Sequence, residues 1–154
     1  MKKTLALLLF AAMILFSITS CAGKVGEEGN VTVVVESEGG EYEVYKTYLE
    51  NVESKSDGAL GVLKHLSERE DNPLHLVCSD GQYGAFITEI GSIKENSTDG
   101  EYVMIYTSVL ADSYADAATV SYEGATLYAS GVGINSMSIL DGTVILFRVE
   151  VPSW

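Results

Sequence analysis

Basic residues are scarce in this 154-residue chain, with 9 Lys and Arg against 22 Asp and Glu and a formal net charge of −13. Such a field repels phosphate, and there is no Lys/Arg stripe to release counterions, so nucleic acid is excluded as a natural partner. Histidine is equally sparse, at two residues. His65 lies within a helical pattern and His75 alternates with Leu74 and Leu76, settings of surface or hydrogen-bonded imidazoles rather than of metal ligands. Two cysteines, Cys21 and Cys78, are too few for a cysteine metal cluster. There is no nucleophile elbow and no Gly-rich phosphate loop, and neither histidine is set to serve a nucleophile, so the chain reads as a non-enzyme. The acidic pairs Glu27 with Glu28 and Asp112 with Asp116 lie outside any EF-hand spacing and leave calcium unsupported.

What is present begins with an address. Lys2 and Lys3 precede a run of apolar and small residues from Leu5 to Phe16, the layout of a secretory signal. About 20 apolar residues are needed to span a bilayer, and polar Ser17, Thr19 and Ser20 interrupt well before that. Ile18-Thr19-Ser20-Cys21, a branched apolar residue and two small ones before a cysteine, resembles the lipobox of bacterial lipoproteins. That resemblance implies cleavage before Cys21, lipidation of its thiol and a membrane anchor facing outside the cytoplasm. Without Lys2 and Lys3, 7 basic residues stand against the 22 acidic ones, a formal charge of −15 suited to a solvated cell-surface face. With Cys21 lipidated, Cys78 has no disulfide partner, and within Leu74-His75-Leu76-Val77-Cys78 it reads as a small buried residue.

Residues 1–20 are therefore expected as a signal, 21–30 as a lipidated terminus with a Gly/Glu-rich flexible spacer, and 31–154 as one domain. Val31-Thr32-Val33-Val34-Val35 is β-branched and ends at a Gly-containing turn, a strand signal, and a second strand follows over Tyr42 to Leu49. Leu60, Val62, Leu63 and Leu66 recur at helical spacing after candidate caps at residues 54–57, until Asp71-Asn72-Pro73 stops them. Further strands are expected at Leu74 to Cys78, Tyr83 to Thr88, Tyr102 to Thr107, and Val144 to Val149 after the Asp141-Gly142 turn. The fold class is α+β, a mixed β-sheet packed against one α-helix in β-grasp-like fashion. The run Tyr102-Val103-Met104-Ile105-Tyr106 predicts a central strand covered on both faces. A long Tyr-rich excursion from Val109 to Ser130, with a hairpin around Glu123-Gly124, is expected to supply the second cover.

The succession of the helix with Leu60, Leu63 and Leu66, then Asn72-Pro73-Leu74, Tyr83-Gly84, Ile87, Ile90 and Ile93 with Glu95-Asn96, then Tyr102, and finally Gly131-Val132-Gly133 before Asp141-Gly142, resembles the C-terminal domain of transcobalamin and intrinsic factor. The same domain type occurs in bacterial cell-surface lipoproteins. The resemblance spans Val31 to Glu150 and implies binding of cobalamin or a related corrinoid, captured for a membrane importer. The two-domain carriers of this family add a helical barrel that is not found in this sequence. The carried-over ligand positions are Tyr83, Gly84, Ile105, Tyr106, Thr107 and Ser108, with no metal ligand and no resident cofactor. The sequence departs from the family at Val103, where a tryptophan is usual, and in the longer loop that follows. A corrin is a broad, partly apolar plate fringed with amides, and tyrosines such as Tyr83, Tyr106, Tyr114, Tyr122 and Tyr128 suit it, although the same residues are favoured in half-buried strands. The alternative reading is a protein-binding or adhesion module without a small ligand.

Overall fold

The computed structural model describes residues 23–152 other than 83, so Cys21, Tyr83 and the proposed signal lie outside the described residues. Within them, nine strands and one α-helix form an α+β fold with a mixed six-stranded sheet and a small three-stranded one. The strands are β1 (Asn30–Glu36), β2 (Tyr42–Tyr48), β3 (Leu76–Gly81), β4 (Gly84–Ile90), β5 (Ile93–Lys94), β6 (Tyr102–Thr107), β7 (Thr119–Tyr122), β8 (Ala125–Ala129) and β9 (Thr143–Glu150). The large sheet runs β2-β1-β9-β6-β8-β7, and the small one β3-β4-β5. Every neighbouring pair is antiparallel except β1 with β9, which are parallel and lie side by side in the interior of the large sheet. That position explains the run Val33-Val34-Val35, all fully buried, because a central strand is covered on both faces.

The helix α1 (Ala59–Ser67) buries Leu60, Val62, Leu63 and Leu66, as their spacing predicts. It starts after Gly58, whose φ of 58° suits glycine, and residues 55–57, expected as caps, form a short 3-10 turn instead. At Gly61 the helix lies directly on the Ser54 carbonyl, leaving no room for a Cβ. Its end is sealed where Leu74 N–H donates to Leu66 O at 3.1 Å, past Pro73 and a left-handed Asn72 (φ 50°). Nine residues make a helix about 13 Å long, too short to cover a six-stranded sheet. The shortfall explains the second sheet, which the sequence reading placed with the first. β4 and β5 lay Ile87, Ile90 and Ile93 beside α1 over Val31, Val33, Val35, Ile145 and Phe147.

The opposite face of the large sheet is covered by the sheet itself. Val34, Leu146 and Tyr106 stand in register across β1, β9 and β6, and Tyr122, Leu127 and Ala129 from the β7–β8 hairpin close over them as a second core. Strands β2 and β7 are the two edges, which a flat sheet would hold about 24 Å apart, five spacings of about 4.8 Å. The rings of Tyr42 on β2 and Tyr122 on β7 nevertheless meet edge-to-face, centroids 5.2 Å apart. The sheet is therefore strongly curled, and the expected second cover is the curled-over hairpin.

Two expectations are corrected. Cys78 is exposed, because β3 is an edge strand of the small sheet and points only Leu76 toward the core. Residues 24–29, expected as a spacer, are docked: Ile139 N–H donates to Lys24 O and Gly26 N–H to Ile139 O, both at 2.7 Å, and Lys55 pairs with Glu27 at 3.1 Å.

Candidate functional site

Of the carried-over residues, Ile105, Tyr106, Thr107 and Ser108 lie together where β6 leaves the sheet, and Gly84 lies apart from them. Strand alternation sends Ile105 toward α1, where it packs half-buried against the main core, and Tyr106 to the curled face. Tyr106 is 2% exposed and donates its hydroxyl to both oxygens of Glu150, at 3.0 and 2.9 Å. Glu150 is also held by Arg148 Nε at 2.9 Å, and Arg148 reaches Glu36 at 3.2 Å. Burial, then the neighbouring Glu150 carboxylate, pushes the Tyr106 hydroxyl up to about 12. Tyr106 is thus a structural residue beneath the hairpin, not a side chain at the rim of an open surface.

Thr107 is fully buried and its hydroxyl accepts from Val109 N–H at 3.1 Å. Ser108 is half-buried and its hydroxyl accepts from Val144 N–H at 3.0 Å. Both side chains use their polarity to end the strand cleanly, since a buried hydroxyl or N–H without a partner is costly. Beyond them a 3-10 turn at Leu110–Asp112 opens a groove of about 360 Å³. Its apolar lining is Val109, Ala111, Val132 and Leu140, and Ser136, Ser138, Gly23 and Lys24 also line it.

The groove is held by Asp112, which the sequence reading weighed only for calcium. Its buried carboxylate accepts Ser138 N–H at 2.6 Å and Ser138 Oγ–H at 2.9 Å, and its carbonyl accepts Gly131 N–H at 2.8 Å. Lys24 N–H in turn donates to Ser138 Oγ at 3.0 Å. Gly84, the other carried-over position among the described residues, lies against Asn135 in the 3-10 turn Ile134–Ser136. There Ala85 N–H donates to Asn135 Oδ1 at 2.8 Å, and a Cβ on Gly84 (φ 108°) would press on that oxygen. The segment 131–138 thus separates Gly84 from the end of β6. Asn135 and Ser138 had no signal in the sequence beyond the neighbouring Gly131-Val132-Gly133.

The tyrosines divide between core and surface. Tyr106, Tyr122 and Tyr45 are buried, whereas Tyr42, Tyr48 and Tyr114 are exposed. His75 pairs with Glu89 at 3.1 Å, and Lys94, then His75, hold that carboxyl below its usual range. Partial burial of its sulfur, partly offset by Lys64, pushes the Cys78 thiol up, the wrong direction for a nucleophile. Among the described residues, no group of three or more His, Cys, Asp or Glu is placed to hold a metal ion.

No family model matches this sequence, and no curated protein matches it. Solved structures do match. A proposed metal binding protein from Ruminococcus gnavus ATCC 29149 superposes with a TM-score of 0.54 at 14% identity, over 82% of this chain and 100% of that one. Haptocorrin in complex with Cbi superposes with a TM-score of 0.54 at 15% identity, over 89% of this chain. The chain spans 29% of haptocorrin's length. At these identities the likeness concerns the fold, and the fold of this chain is transcobalamin-like, as its sequence resemblance implies.

Proposed function

We propose that this chain is a lipid-anchored, extracytoplasmic, non-catalytic binding protein that captures a corrinoid or a similar plate-shaped small molecule for a membrane importer. The observation that carries the reading is the shared fold with haptocorrin in complex with Cbi over most of this chain, joined to a groove opening where the carried-over strand β6 ends. The order β2-β1-β9-β6, with α1 against one face, supports a β-grasp-like reading of the scaffold. The groove's apolar walls and the exposed Leu110 beside it suit the flat part of such a cargo. At about 360 Å³ it takes an edge of a large ligand and leaves the remainder to solvent or to a second protein surface.

The test is a thermal-shift titration of the Cys21→Ser protein with cobalamin and cobinamide. A ligand that binds only the native state must raise the midpoint with dose. Ala111→Trp fills the groove from an exposed position and should abolish the rise while leaving the unliganded midpoint in place. No rise with either corrinoid at millimolar concentration refutes the corrinoid reading. A second reading has its own support: Tyr42, Val44 and Tyr48 are exposed on the edge strand β2, where a partner's strand could add.

A further inference from the structure

Gly23 leaves no slack between the fold and the start of the exported chain. A Cβ at Gly23 would collide with the backbone of residues 136–138, and from Lys24 onward the chain is tied to Ser138 and Ile139. Cys21 precedes Gly23 by two residues, so the two Cα atoms are at most about 7 Å apart. A lipid on Cys21 places its glycerol at the boundary of headgroups and acyl chains, under a headgroup layer about 5–7 Å thick. Whatever surrounds Gly23 therefore stands within reach of the headgroups.

What surrounds it is the groove. Gly23 and Lys24 share its lining with Val109, Ala111, Val132 and Leu140, and Leu110 beside it is 63% exposed. The one acidic residue of the lining, Asp112, is buried and spent on Ser138, while Lys24 is its one cation. In an exported chain of formal charge −15, 7 basic residues against 22 acidic, the lining itself adds no repulsion toward an anionic bilayer. Resting on the lipid-anchored reading of Cys21, we infer that the groove end of the domain lies flat on the outer surface of the bilayer, with Leu110 and Leu140 in the headgroup region. The groove then opens along the membrane plane, so that cargo is exchanged with a membrane-embedded partner rather than with bulk solution.

The full-length protein tests this, purified from membranes and reconstituted in vesicles carrying a nitroxide on the headgroup. Cys78→Ser leaves a single introduced thiol for an environment-sensitive fluorophore, at Leu110→Cys or at Glu38→Cys. Both positions are exposed, and Glu38 lies past the far end of β1, which at seven residues is about 23 Å long. Quenching that requires approach to a headgroup layer about 5–7 Å thick should dim the Leu110→Cys label about twofold and leave the Glu38→Cys label unchanged. Equal emission from both labels, in protein whose mass includes the lipid, overturns the flat orientation alone. A mass without lipid overturns the anchoring reading and the orientation with it.

Discussion

Raising the pH should destabilise this protein through its buried tyrosines. Tyr106 and Tyr45 are both pushed up from 10.0 to about 12, each by burial first and then by a carboxylate that accepts its hydroxyl, Glu150 for Tyr106 and Glu43, at 2.8 Å, for Tyr45. A tyrosine is neutral when protonated, so a raised folded value means that the native state keeps its proton after the unfolded chain has released its own. The stability this represents is complete below pH 10 and is lost as pH rises toward 12. Solvent reaches both hydroxyls and screens the effect, which leaves about 1 kcal/mol per tyrosine and about 2 kcal/mol for the pair. That is a measurable share of the stability of a small domain, about 5–15 kcal/mol. Urea midpoints followed by circular dichroism from pH 8 to 12, with tyrosinate absorbance near 295 nm, would measure it. Tyr106→Phe cannot ionise. It should be less stable by about 1–2 kcal/mol at pH 8, having lost a hydrogen bond to a charged acceptor that keeps Arg148, and should show a shallower alkaline slope than wild type. A wild-type midpoint that stays flat to pH 12, or a Tyr106→Phe slope equal to wild type, would refute the assignment.

Two further substitutions probe the second core and the groove. Leu127→Ala removes a fully buried side chain of the hairpin and should cost about 2–5 kcal/mol in urea unfolding, with the lower value indicating that the curl collapses onto the gap. Asp112→Ala leaves the Ser138 N–H without its acceptor, and should cost about 1–3 kcal/mol and speed amide exchange at Ser138; unchanged exchange there would show that the groove does not depend on this carboxylate.

The legible parts of the fold were those written in periodicity. α1 and β6 are where the spacing of Leu60, Leu63 and Leu66 and the run from Tyr102 to Tyr106 put them, and the hairpin forms around Glu123-Gly124 because a left-handed turn there suits the φ of 48° and 81° that it adopts. Tyrosine was the least legible residue type, since one side chain serves a core and a surface equally well and only the tertiary neighbours decide. Tyr106 shows this, being buried by Tyr122, Leu127 and Ala129 of a hairpin that comes later in the chain. The second sheet was missed because β5 is two residues long and carries no pattern. The groove was legible only as an end of a strand, for Asp112 and Ser138 are 26 residues apart and neither has a neighbour that announces the pairing.

The parallel pairing of β1 with β9 also dictates the order of assembly. Val31 must find Thr143, and Val35 must find Phe147, across more than a hundred residues of chain. Until β9 arrives, the β1–β2 hairpin stands with one edge unpaired and its valines uncovered, and β6 has no partner on its long side. Pairings this distant are slow to close and leave the intermediate prone to association. Cooperative folding should therefore wait for β9, and β1 and β6 stay open until residues 143–150 join them.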